Sequence, residues 1–356
     1  MRLGRRDVEH LLQRKSAGHL VMFRFRHHDK EAERWNLIDA ANILKGLPDQ
    51  YQTRSFEIWA THAGVSLGVW AQDEDSAKRL VEQWRTFNPT IHDEHAPRGF
   101  PPLRPGDHVR LGTVRPRRSP AFPIMRRFGR QDHDLIRSPL VLLVNNLAHI
   151  PDGTTLVVQV LWRRNRLPWQ VLQYTKLDLK PWLHTNHEAC EEKRQERLNY
   201  HVDIRIAEIR SNPGTADHAR AAGTGFHVYK QDGGNQLVYR PLRGARWRKR
   251  RFLAAMMDRN LAAFRQRGIN RSRLSTSELA ALVHPPPEGA RLTRLAFTPV
   301  TQDKISPHRR LQTERLERAL DSLPGRGARP VGTPRRMTAR EVQEALHRQG
   351  TERGAR

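Results

Sequence analysis

Apolar positions along the chain recur with two periods, and the switch between them marks out the elements. Leu20–Phe25 alternates, with Val21, Phe23 and Phe25 set against Met22 and Arg24, which predicts a strand. From Glu33 to Leu47 the apolar residues Trp35, Ile38, Ala41 and Leu44 recur every three positions, predicting a helix that Pro48 stops. Ser55–Thr61 and Val65–Ala71 read as two strands joined by a short turn at Gly64. Asp73 can cap the next helix, whose buried stripe is Ala77, Leu80, Val81 and Trp84 and which ends before Pro89. Thr90–His95 is a short final strand, and residues 1–18 form a basic helix ahead of this block, with Val8, Leu11 and Leu12 at helical spacing.

The same order then recurs. His108–Val114 reads as a strand, followed by a basic, Pro-rich stretch from Arg115 to Arg130 that its prolines favour as an extended, mobile segment. Ser138–Leu147 is helical with Pro139 in the first turn, and Thr155–Arg163 is a strongly apolar strand. An insertion, Asn165–Asn199, contains a charged helix over Glu188–Leu198. His201–Arg210 alternates as a strand, Thr215–Tyr229 reads as a helix weakened by Gly223 and Gly225, and Gln236–Tyr239 gives the last strand. The expected fold class is α+β: two ferredoxin-like (βαββαβ) units in tandem followed by a basic helical C-terminal region. The expected segments are a basic N-terminal helix (1–18), a first unit (19–97), a basic linker that includes the next unit's first strand (98–137) and a second unit (138–240, insertion 165–199). A basic helical segment (241–287) and a basic, largely disordered tail (288–356) follow, the tail with helix candidates at Pro307–Leu323 and Thr338–His347.

Charge changes this picture, because it is unevenly placed. The chain of 356 residues carries 63 Lys and Arg against 37 Asp and Glu, a formal net charge of +26. Residues 19–97 hold nine basic against twelve acidic side chains, residues 98–137 ten against three, and residues 240–273 twelve against one. Basic character is therefore loaded onto particular stretches, which points to an acidic partner more than to solubility. Arg predominates, and its planar fork suits bidentate contact with phosphate. Cys190 is the only cysteine, so no intramolecular disulfide forms and a reducing compartment fits. Met1 to Lys15 is charged and lacks the apolar core of a signal peptide, and no apolar run reaches the length of a membrane span. The expected location is the cytoplasm, with peripheral attachment at the inner face of the membrane as an alternative.

The strongest candidate site is the cluster Arg240, Arg243, Arg246, Arg248, Lys249, Arg250 and Arg251, with Trp247 inside it. On a helix beginning near Ala245 these cations surround most of the circumference, which suits docking along a phosphate backbone, with Trp247 stacking on a base or packing inward. The next residues, Phe252, Leu253, Met256, Leu261 and Phe264, supply an apolar face. Basic amphipathic helices also bind acidic proteins or anionic membranes, so these readings compete. A second run, Arg115, Arg117, Arg118, Arg126, Arg127 and Arg130 with Phe122 and Phe128 interleaved, is a phosphate-contacting arm or an ordinary solvated loop. No base-edge code is legible, so DNA binding without sequence preference is expected.

His184, His187 and Cys190 are spaced three apart, but a fourth ligand is missing and no metal is expected. His27 and His28 read as a solvent-facing pair at a strand end, and no cofactor is implied. Neither a nucleophile elbow, an H-E-x-x-H pair nor an H-x-H motif with an apolar flank occurs, and Asp178, Asp203 and Glu208 are too scattered for a two-metal nuclease. The expectation is a protein without catalysis of its own.

Leu274–Pro286, LSTSELAALVHPP, opens with the capping box Ser275-x-x-Glu278 and ends at prolines. With the strand and helix patterns at 55–95 and 138–162, this phrase resembles the N-terminal, non-ATPase region of coupling-protein-like ATPases of conjugation and type IV secretion. Leu274, Thr276, Glu278, Leu279, Ala280, Leu282, His284 and Pro286 carry the match. In that family the phrase precedes a nucleotide-binding domain, yet no G-x-x-x-x-G-K-[ST] occurs in this sequence. The resemblance implies a place in a DNA-transfer apparatus, with the P-loop ATPase on a separate polypeptide or this chain a degenerate accessory copy. The competing expectation is a scaffold that docks such an ATPase or another acidic partner.

Overall fold

Strands rich in Val, Ile and Leu pair wherever their alternation allows, and here they pair into one sheet. The computed structural model describes residues 1–13, 18–26, 37–47, 51–87, 91–94, 99–125, 140, 143–144, 147, 149–166, 190, 192–193, 195–232, 234–261, 273–284 and 297–298. All of them belong to the unit Met1–Pro299. The first elements are α1 (Arg5–Leu12), β1 (His19–Arg26), α2 (Leu37–Gly46), β2 (Arg54–Thr61), β3 (Gly64–Ala71), α3 (Glu74–Phe87) and β4 (Ile91–Glu94). Next come β5 (His108–Pro116), β6 (Thr154–Arg164), β7 (Asn199–Arg210), α4 (His218–Gly225) and β8 (Leu237–Pro241). The last are α5 (Arg246–Met257), β9 (Arg273–Ser275), α6 (Thr276–Leu282) and β10 (Phe297–Thr298).

The protein is a mixed α+β fold on a ten-stranded sheet ordered β10-β1-β3-β2-β6-β7-β5-β8, with β4 also on β1 and β9 on β7. Every pairing is antiparallel except the short one between β1 and β10. The two halves of the chain are fused through β2 and β6, from Arg54 opposite Trp162 to Ala60 opposite Leu156. Strand edges carry unpaired N–H and C=O groups, and each half satisfies one of its edges with the other. Helical residues occur at Leu140, Leu143 and Val144 and at Cys190, Glu192, Lys193 and Gln195, inside the helices expected there. The helix candidates at 307–323 and 338–347 and the pair His27–His28 lie outside the described residues.

One face of the sheet carries the larger core. Trp84 of α3 meets Phe23 and Phe56 edge-on, both at 5.6 Å between ring centroids. Ala219 and Ala222 of α4 and Leu279 to Leu282 of α6 cover Val160, Ile204 and Ile206 in the same cluster. The phrase at 274–284 is thus structural: Ser275 caps α6 by accepting from the Glu278 N–H, and Leu274, Thr276, Glu278, Leu279 and His284 are all buried. Burial pushes the His284 imidazole down to about 4, so it packs as a neutral ring whose Nδ1 meets the Ala280 carbonyl. Glu278 is wholly buried, paired with Lys193 at 2.8 Å and accepting the Ile124 and Ser275 N–H groups. Lys193 therefore turns inward.

Gly223, which weakens α4 as a sequence, is what lets the helix sit there. A Cβ at Gly223, or at Gly112 on β5, would overlap the Tyr239 ring, which lies between the two backbones. Gly223→Ala is expected to cost about 1–3 kcal/mol in urea unfolding despite alanine's better helix propensity. A neutral or stabilising result would contradict this packing.

The described part of the stretch expected as an extended, mobile segment, 115–125, is built into the fold. Arg115 and Pro116 complete β5, and Pro120 to Ile124 are buried. Asn235 ties the turn down, its Oδ1 accepting from the Arg118 N–H and its Nδ2 donating to the Ser119 carbonyl. Phe122 is buried beneath the Arg118 side chain. Phe252–Met257 and Leu279–Val283 likewise pack on the sheet, one segment on each face.

Candidate nucleic-acid interface

The second face of the sheet positions the basic cluster. Val109, Leu111, Val157, Ala207 and Ile209 form an apolar floor there, covered by Leu3, Val8 and Leu11 from the α1 region and by Phe252, Leu253 and Met256 of α5. Crossing this floor is a polar row in register: Glu57 on β2 stands opposite Gln159 on β6, which stands opposite Arg205 on β7. All three are fully buried.

That row holds α5 by its carboxyl end. A helix leaves its last carbonyls unpaired, and here side chains from the sheet supply the donors. Arg205 donates to the Ala255 carbonyl at 2.8 Å, Gln159 to Met256 at 3.1 Å and Arg259 to Met257 at 3.1 Å. Arg259 reaches these groups from a left-handed backbone (φ +47°) just past the helix and makes a fork onto Glu57 at 2.8 and 3.2 Å. Cations at a helix C-terminus also complement its dipole.

With its carboxyl end anchored, α5 is divided along its length and not around its circumference. Phe252 through Met257 are buried on every side, whereas Arg246, Trp247, Arg248 and Arg251 are exposed and Lys249 and Arg250 half-buried. The amino half projects from the molecule, preceded by exposed Arg240 and Arg243. Its start is electrostatically unfavourable: Ala245 offers no side-chain cap and no acid lies in the first turn. Each cation there opposes the helix dipole by about 0.3–1 kcal/mol.

Among the described residues one carboxylate intervenes. Asp7 of α1, with a side chain 7% exposed, pairs with Arg246 and, at 3.3 Å, with Arg250. Arg240, Arg243, Arg248, Lys249 and Arg251 make no ion pair among the described residues. Burial works to raise the Asp7 pKa, but the Gly4 N–H, Arg246 and Arg250 outweigh it and hold the carboxyl below its ordinary value. A depressed carboxyl contributes stability that is present above the ordinary value of 3.8 and is lost as pH falls through the folded one. Asp7→Asn is therefore expected to cost on the order of 1 kcal/mol at neutral pH and to flatten the acid limb of the unfolding curve. Because it frees two cations, the same variant should bind polyanions a few-fold more tightly. Unfolding and binding measured side by side check both signs, and loss of both would contradict the assignment.

Pairing through Asp7 also brings α1 beside the cluster, so exposed Arg2, Arg5 and Arg6 extend the basic surface. Sequence reasoning did not single these residues out, although the basic character of the N-terminal helix was the available signal. Burial, then the field of Lys249, Arg110 and Arg246, lowers the pKa of the Met1 ammonium, which donates to the Val109 carbonyl. Burial also lowers that of Arg115, and Arg240 and Arg248 add to the effect against a pull from Asp203.

The second basic run begins beside the first and leads away from it. Arg115 lies in the field of Arg240 and Arg248, whereas Arg117 and Arg118 follow the end of β5, four and five residues past Thr113, the partner of Arg240, and so roughly 13 Å or more further along. Arg117 and Arg118 are exposed, and Arg118 stands over the Phe122 ring at 5.7 Å. Arg126, Arg127, Arg130 and Phe128 lie outside the described residues, as do His184 and His187. Among the described residues no three His, Cys, Asp or Glu side chains are grouped to hold a metal, and no helix is long and apolar enough to cross a membrane.

A family described as a domain of unknown function (DUF8128) matches residues 37–177. No curated protein matches the chain at a significant level. The matched stretch runs from the start of α2 to beyond β6, and the basic helix α5 lies outside it.

Proposed function

We propose that this chain is a non-catalytic, DNA-contacting subunit of a conjugative, type IV secretion-like DNA-transfer apparatus, gripping phosphates without sequence preference. The observation that carries this reading is the amino half of α5 with the segment before it: a helix start with no cap, no acid in its first turn and a crowd of cations, five of which (Arg240 and Arg243 before the helix, Arg248, Lys249 and Arg251 in it) make no ion pair among the described residues. Local rules of helix design are broken there, and such conflicts concentrate where a ligand completes the electrostatics. Arginine forks match the geometry of phosphate oxygens with two parallel hydrogen bonds.

The body fits a tandem pair of ferredoxin-like units. The strand orders β4-β1-β3-β2 and β8-β5-β7-β6 support that reading, each being the fourth, first, third and second strand of its half. The phrase at 274–286 supports the link to transfer apparatus by resemblance, and on this reading nucleotide hydrolysis belongs to a separately encoded P-loop ATPase. Fluorescence-anisotropy titration of a labelled duplex at several salt concentrations tests the binding. Affinity should fall with a log–log slope of about −4, close to one counterion per unpaired cation. A flat salt dependence, or no binding at low salt, would refute it.

A further inference from the structure

We infer that the interface selects single-stranded over duplex nucleic acid, because Trp247 stands as an open stacking platform among its cations; this rests on the phosphate-contact reading above. From the sequence, Trp247 was free either to pack inward or to face outward. Its position settles that: 61% of its surface is exposed, and Arg246 and Arg248 on either side of it are exposed as well. The other exposed large ring among the described residues, Tyr51, is covered by two guanidinium groups, Arg164 at 5.7 Å and Arg166 at 5.4 Å. Trp247 has no ring or cation over it among the described residues.

Strand chemistry decides what that indole meets. A single strand offers an unstacked base at nearly every nucleotide, so phosphates can reach Arg243, Arg248 and Arg251 while a base covers the ring. A duplex keeps its base faces stacked on one another, so it meets the same cations but leaves Trp247 in water. The protruding basic part of α5 is six residues, about 9 Å long, too short to read far along a major groove. Stacking is sequence-tolerant, consistent with the lack of any base-edge code.

The test compares wild type, Trp247→Ala and Trp247→Phe against oligo(dT), oligo(rU) and a blunt hairpin duplex at one salt concentration. Trp247 is exposed, so both variants should fold, which circular dichroism verifies. Trp247→Ala is expected to weaken oligo(dT) binding about tenfold and duplex binding less than twofold, with Trp247→Phe in between. Tryptophan emission should be quenched by oligo(dT) in the wild type and lose that component in Trp247→Phe. The oligo(rU) arm tells whether the strand is DNA or either polynucleotide, both of which support single-strand selection. Equal losses for single strand and duplex, or no loss for either, would overturn the stacking role while leaving phosphate binding intact. Failure of the wild type to bind any probe would instead overturn the phosphate reading itself.

Discussion

Glu278→Ala should destabilise the protein by about 3–5 kcal/mol, a large part of the roughly 5–15 kcal/mol that holds an ordinary domain together. Glu278 is wholly buried and gathers three partners, the Lys193 ammonium and the Ile124 N–H from distant parts of the chain and the Ser275 N–H of its own capping box. Lys193 is itself only 3% exposed, so removing the carboxylate takes a counter-charge from an ammonium that water cannot reach. The penalty arises from that loss of buried charge compensation and from the two backbone N–H groups left without their acceptor. Pairing Glu278→Leu with Lys193→Met should accordingly recover much of the loss. Urea midpoints of the single and double variants measure this. If the double variant were no more stable than Glu278→Ala, the lost charge compensation would not be the cause.

The second large effect concerns binding. The triple variant Arg243→Glu, Arg248→Glu, Arg251→Glu should lose on the order of a hundredfold in affinity for oligo(dT) at moderate salt, and its salt slope should shrink by about three. These positions are chosen because they are exposed and make no ion pair among the described residues, so their reversal leaves the anchoring of α5 untouched. Arg246 and Arg250 serve less well, since reversing them would set two carboxylates against Asp7 and lift α1 from the sheet. The matching reversal at Arg117 and Arg118 should do far less, because those residues follow the far end of β5. Anisotropy titrations of the two variants decide it: equal losses would mean that charge anywhere on the surface suffices.

Much of the secondary structure was legible because each strand advertises its own alternation. Thr155 to Trp162 is apolar on both faces and becomes β6, at the centre of the sheet. The S-x-x-E signature at Ser275 became a capped, buried helix, and the start of α5 near Ala245 was readable from the loop before it. The join between β2 and β6 was not readable, since a strand with an apolar face looks the same whichever neighbour it takes. Nor was the end-on setting of α5, because its charged and apolar residues are sorted along the axis while periodicity reports only sorting around it.

Charge counting misled in one respect. Arg259 contributes to the basic excess of 240–273 yet lies buried against Glu57, 202 positions away in sequence. Asp7, which ties down Arg246, is 239 residues distant from it. Pairings of that range leave no local trace, so the sequence separated the basic stretches correctly but did not say which cations within them face water.

The account turns on where a bound strand lies, and photo-crosslinking reads that directly. An oligonucleotide carrying 5-iodouracil, irradiated in complex with the full chain, couples to aromatic side chains it touches, and peptide mapping locates them. Coupling at Trp247, within a peptide spanning 243–251, is the expected result. Coupling confined to the tail beyond residue 299, with Trp247 unmodified, would contradict the claim that the outward half of α5 is the grip.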